Sequence, residues 1–99
     1  MFKRVITMSR GKFIRNSESR KIQRPLERFL NTTDHVIDCS QKQEGKEAKD
    51  IFSVWCLKTH FINKVRAWLV LQKFEIFDTE IIHVGPYFSS VVFYIRKVA

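Results

Sequence analysis

Ile51-Phe52-Ser53-Val54-Trp55-Cys56-Leu57 (IFSVWCL, residues 51–57) admits two readings, and the fold turns on which one holds. Continued forward, Ile51, Trp55, Lys58, Ile62, Val65 and Leu69 follow steps of three and four, the spacing of one helical face. Neither Gly nor Pro interrupts residues 46–84, and the charged stretch from Lys46 suits the opening of a helix. Taken alone, the segment is rich in β-branched and aromatic residues, which favour a strand. The longer periodicity favours the helix. It predicts a principal helix entered from a polar stretch, residues 41–50, around Gly45.

Outward from that segment the chain divides readily. Residues 3–8 (KRVITM) read as a strand, and residues 9–19, polar, basic and broken by Gly11, as a loop. Ile22, Leu26, Phe29 and Leu30 set a helix over residues 22–30. Pro25 lacks an N–H and fits the first turn of a helix, which puts its start near Arg24, and Asn31-Thr32-Thr33 ends it. Residues 35–40 (HVIDCS) suit a short buried strand. Residues 74–84 (FEIFDTEIIHV) read as a strand with Asp78-Thr79 as a bulge or bend, Gly85-Pro86 as a turn, and residues 89–98 as the clearest strand of all. The last two strands form a hairpin. The expected order is β-α-β-α-β-β, an α+β fold with helices packed on a mostly four-stranded sheet. Ninety-nine residues make a single domain, 1–99, with a basic N-terminal segment of about thirty residues.

That basic segment is the strongest functional feature. Residues 1–30 carry nine Lys/Arg against two acids, Glu18 and Glu27, a surplus of seven within a total net charge of +8. Six of those nine are arginines. The aromatics run the other way, three of thirteen before Asn31 and ten after it. A basic front end on a near-neutral body is the electrostatic footprint of a polyanion-binding protein, since each cation placed on a phosphate releases a condensed counterion. Arginine adds a planar fork that matches phosphate geometry. The expected nucleic-acid contacts are Lys3, Arg4, Arg10, Lys12, Arg15, Arg20, Lys21, Arg24 and Arg28, with Phe13 stacking on an unpaired base.

Other constellations carry less chemistry. Cys56 and His60 would share a helical face as two metal ligands, but His35, Cys39 and His83 are scattered, so no metal site is expected. The same Cys56–His60 pair lacks a carboxylate partner or oxyanion loop for nucleophilic catalysis. Asp78 and Glu80 alternate along a strand and would face one side, a pattern more often solubilising or salt-bridged than catalytic. No phosphate-binding glycine loop, dinucleotide fingerprint or HExxH motif occurs. The chain is therefore read as a non-enzyme without cofactors. Two cysteines without close spacing point to free thiols in a reducing compartment, cytoplasmic or nuclear. Residues 1–17, free of acids and rich in Arg, Lys, Ser and Thr, also have the composition of a mitochondrial presequence. No apolar run approaches the roughly 18 residues of a membrane helix, so no membrane association is expected. Trp55, Trp68, Phe61, Phe74, Phe77, Phe88, Phe93 and Tyr94 are either core or, in part, an exposed patch for a protein partner.

In the expected order of elements, the opening strand with its basic loop (VITMSRGKF), the strand-plus-helix unit of residues 35–61 and the closing hairpin (FDTEIIHVGPYFSSVVFYIRKV) together resemble the Alba superfamily of small nucleic-acid-binding proteins. The resemblance implies a nucleic-acid face at Lys12 and Arg15 and at the turn of residues 41–49, and it implies dimerisation. It rests on pattern, and the short hairpin loop at residues 85–90 departs from the extended arm of archaeal members. The expected function is RNA binding as a structural or accessory subunit of a ribonucleoprotein, such as a ribosome or a particle like RNase P or RNase MRP, with DNA as the alternative polyanion. A protein partner, as a homo- or heterodimer, is expected beside the nucleic acid. The alternative class is a small virus- or phage-type modulator that docks on and inhibits a nucleic-acid-processing protein.

Overall fold

Gly45 settles the reading of residues 51–57. In the computed structural model, which describes residues 12–32, 35–83, 85–86 and 89–98, its backbone sits at φ 62°, a left-handed conformation that costs glycine little. The chain reverses there between two antiparallel strands, β2 (Ile37–Glu44) and β3 (Glu47–Cys56). The expected helix from Lys46 is thus a β-hairpin, and IFSVWCL is strand. The cause lies in burial: β3 is paired on both edges, and Phe52, Ser53, Val54 and Cys56 are buried, so the apolar run does not alternate visibly. The helical stripe survives only in its second half. A 3-10 turn (Thr59–Phe61) leads into a helix over Ile62–Leu71, with Val65, Trp68 and Leu69 buried.

Part of the stretch expected as a loop, within residues 12–19, is regular structure. Lys12–Ile14 forms a short strand, β1, and a helix, α1 (Ser17–Leu30), begins well before Pro25. Asn16 caps it reciprocally: its side-chain oxygen accepts from Ser19 N–H at 2.9 Å, while Ser19 Oγ accepts from Asn16 N–H at 3.0 Å. Ile22, Leu26 and Leu30, spaced by four, bury one face against the sheet. That cap and that burial offset the cost of a proline inside the helix, about 3 kcal/mol in an exposed host. Asn31 closes α1 at φ 55°, and Thr32 N–H reaches Glu27 O at 3.3 Å, so the expected stop after Leu30 is where the helix ends. The strand expected at residues 3–8 lies outside the described residues.

The closing hairpin matches its expectation. Strands β4 (Phe74–His83) and β5 (Ser89–Lys97) pair antiparallel, with a register shift between Ile76 and Asp78. The fold is α+β, with two helices on a five-stranded antiparallel sheet of order β1-β2-β3-β5-β4. Five strands replace the mostly four-stranded sheet expected, and the order among the described residues is β-α-β-β-α-β-β. The second helix, Ile62–Leu71, is α2. Both helices cover one sheet face, where Cys39, Phe52, Val54, Phe93 and Ile95 join Leu26 and Leu69 in a single core. No described helix is long and apolar enough to cross a membrane.

Candidate nucleic-acid interface

The face of α1 opposite its buried stripe carries the cations. Arg20, Arg24 and Arg28 recur every four residues, so their side chains stack about 6 Å apart along the helix axis. Lys21 joins them on one flank. Together with Ser17 and Pro25 these four line a surface groove of about 490 Å³ whose walls include no acid. Two neighbouring grooves share its arginines. One, of about 540 Å³, runs past Arg24, Glu27 and Arg28 to Asn31 and Thr32, and the other, of about 280 Å³, lies between α1 and β2 and includes Arg15, Gln23 and Cys39.

The partners of these cations divide them sharply. Arg15 is held by Asp38, Nε to Oδ1 at 2.8 Å and Nη2 to Oδ2 at 2.7 Å, and that bond raises the guanidinium's pKa further. Lys21 sits 2.9 Å from Glu18 Oε2, and its hydrogen bond draws the Glu18 carboxyl below its ordinary value. Arg20, Arg24 and Arg28 have no ion pair among the described residues. Glu27, the acid closest in sequence to the row, accepts instead from Gln23 Nε2 at 3.1 Å. Gln23 Oε1 in turn accepts from Cys39 N–H at 3.1 Å, at a stretch of β2 that β1 does not reach, and so anchors α1 to the sheet edge. Asn16 Nδ2 donates to Gln41 Oε1 at 2.8 Å and Gln41 Nε2 to Lys49 O at 2.8 Å, which ties the start of α1 to β3.

Of the residues expected to bind nucleic acid, Arg20, Lys21, Arg24 and Arg28 are brought together, and Arg15 lines the adjoining groove. Lys12 is exposed on β1 beside Gln43. Phe13 is placed elsewhere: it is half-buried, paired across from Lys42, with its ring 5.8 Å from that of buried Tyr94. Tyr94 opposes Ser53 and Asp78, on the sheet face away from the helices, so Phe13 packs on the fold and does not join the α1 row. Lys3, Arg4 and Arg10 lie outside the described residues. Ser17, Pro25 and Asn31 were missed as groove residues. The proline inside a four-spaced apolar series was the available signal.

The remaining candidates resolve into structure. The turn of residues 41–49 is the β2–β3 hairpin, where Lys49 pairs with Glu47 at 2.8 Å and Lys42 lies 3.5 Å from Glu44. Cys56 ends β3 and its thiol donates to Lys58 O at 3.3 Å, while His60 stands in the 3-10 turn, so the two are not one helical face. Burial pushes both thiols above their ordinary pKa. Glu80 accepts from Tyr94 Oη at 2.8 Å, and Asp78 Oδ1 accepts from Thr79 N–H at 2.8 Å. Trp68, Phe93 and Tyr94 are buried and Trp55, Phe61, Phe74 and Phe77 partly so, leaving Phe29, Val70, Leu71, Ile81 and Val98 as the most exposed large apolar side chains described. The strand-plus-helix unit of residues 35–61 is a hairpin and a short turn. Comparisons with protein-family models, curated proteins and solved structures find no match, and none of them ties the chain to Alba or to another superfamily.

Proposed function

We propose that α1 is a phosphate-binding face and that this protein binds RNA without catalysis, as an accessory component of a ribonucleoprotein. The observation that carries this reading is the acid-free groove lined by Arg20, Lys21, Arg24 and Arg28, with three arginines left without an ion pair among the described residues. Folding alone disfavours such a row. Like charges four apart on a helix cost a few tenths of a kcal/mol per pair, and here two such pairs follow one another. A polyanion reverses that sign, because each guanidinium meets a phosphate oxygen through two charge-assisted hydrogen bonds. Spread over about 12 Å of helix, from Arg20 to Arg28, the row matches a strand's backbone better than a single small anion. No aromatic lines this groove, so the contact is to backbone and carries little sequence information.

The test is a salt series of RNA affinity for the full chain and for an Arg20→Ala, Arg24→Ala, Arg28→Ala variant. Loss of three phosphate contacts should lower the slope of log affinity against log salt by about two. An unchanged affinity and slope would remove α1 from the interface and turn attention to the protein-docking alternative.

A further inference from the structure

Between α1 and the stretch of β2 that β1 does not reach lies the smallest of the three grooves, a notch of about 280 Å³. Its lining differs in kind from the arginine row, because Glu27 contributes a carboxylate. Arg24, one turn earlier, makes no ion pair with it among the described residues. The neutral amide of Gln23 holds it instead, Nε2 to Oε2 at 3.1 Å. Gln23 is itself fixed, its Oε1 accepting from Cys39 N–H at 3.1 Å. The sheet edge thus positions a half-buried carboxylate through one amide. A carboxylate accepts about four hydrogen bonds, and the described residues supply Glu27 with one.

Arg15 lines the same notch. Its two bonds to Asp38 hold the guanidinium as a fixed plane, and such a plane is a surface on which an unpaired base stacks. Arg20 and Arg24 line both the notch and the groove of the row, so a phosphate held on either leaves its nucleoside beside the notch. These cations disfavour a cationic occupant, and a phosphodiester offers the carboxylate no donor. A base with hydrogen-bond donors satisfies both conditions. Guanine presents two adjacent donors, N1–H and N2–H, on its Watson–Crick edge, a pair that the two oxygens of a carboxylate accept together. Adenine and cytosine set an acceptor beside the amino group, and uracil has a single N–H between two carbonyls. We propose that this notch takes one unpaired guanine, stacked on Arg15 and read by Glu27, so that the helix that grips phosphates also selects a base. This inference rests on the reading of α1 as a phosphate-binding face.

The test compares affinities of the full chain for oligouridylate, for the same strand with one central guanosine, and for the strand with inosine there, which lacks the 2-amino group. The guanosine strand should bind about tenfold more tightly than oligouridylate, with the inosine strand between them. Glu27→Gln keeps the shape and removes the charged acceptor. Loss of an acid beside the arginines should raise affinity for every strand, while the three values come together. Arg28→Ala, in the row but outside the notch, should weaken all three strands alike and leave their ratios unchanged. Equal binding of the three strands by the wild type, weakened in the Arg20, Arg24 and Arg28 triple variant, overturns the guanine contact and leaves the phosphate face standing. A Glu27→Gln variant that keeps the guanosine preference also overturns it. Binding that the triple variant does not weaken overturns the phosphate face and this inference with it.

Discussion

The Arg15 guanidinium grips the Asp38 carboxylate with two hydrogen bonds of 2.8 and 2.7 Å, across a groove that Arg20 and Arg24 also line. Asp38 thus withdraws one cation from a face that would otherwise present it. Asp38→Asn removes the charge and keeps the shape. RNA affinity should rise, and the salt slope should steepen by about 0.7 as Arg15 gains a phosphate. Folding stability should change little, since Arg15 is largely exposed and Asp38, on the pair's other side, is only half-buried. A fluorescence titration across salt concentrations checks it.

Arg24 sits in the middle of the row, with like charges on either side. Arg24→Ala should weaken RNA binding while raising stability by about 0.5 kcal/mol at low salt, through relief of repulsion and better helix propensity. The stability gain should shrink as salt screens the row. Thermal melts at two ionic strengths measure this. A residue retained for folding would show the opposite sign.

The presentation of the row depends on the core beneath it. Leu26 is fully buried among both helices and the sheet, and Leu26→Ala should cost about 2–5 kcal/mol. Asn16→Ala removes a capping box and the link to Gln41, at about 1–2 kcal/mol. Denaturant titrations give both values.

The pH dependence has two arms. The hydrogen bond from Arg96, and its charge, hold Glu75 below its ordinary pKa, and Lys49 does the same for Glu47. Their small contribution is present above the unfolded carboxyl value of about 4.3 and is lost as pH falls through the lower folded values. Burial pushes Cys39 the other way. Its contribution is intact below the unfolded thiol value of about 8.5 and is lost as pH rises above it, because only the unfolded chain ionises there. Chemical denaturation from pH 3 to 10 should therefore show stability falling at both ends. Cys39→Ala should flatten the alkaline arm. A thiol reagent at neutral pH should label Cys39 no faster than the fold opens.

Much of this was legible where local chemistry and tertiary context agree. The β4–β5 hairpin announced itself through Gly85-Pro86 and the β-formers from Val91 to Ile95, and the bulge fell within two residues of Asp78-Thr79. The cations of α1 stand out by composition, and the helix legible over residues 22–30 already carries Arg24 and Arg28, leaving only its first turns unread. Residues 51–57 were not legible, because burial on both faces of β3 erased the period of two, while Ile62 to Leu69 lent it a helical continuation. Pro25 misplaced the start of α1, since the Asn16–Ser19 box outweighs a proline only when Ile22, Leu26 and Leu30 are buried, and burial is a tertiary fact. The cations that neighbour Phe13 in sequence suggest base stacking, whereas strand pairing turns it toward Tyr94.

The most direct measurement is a two-dimensional nitrogen–proton NMR titration of the labelled full chain with oligouridylate. The largest shifts should fall on the amides of residues 17–28 and on the Nε resonances of Arg20, Arg24 and Arg28, with β4 and α2 undisturbed. Shifts centred instead on exposed Val70, Leu71 and Val98, or on the sheet face around Tyr94, would contradict the assignment of α1 as the RNA-binding face.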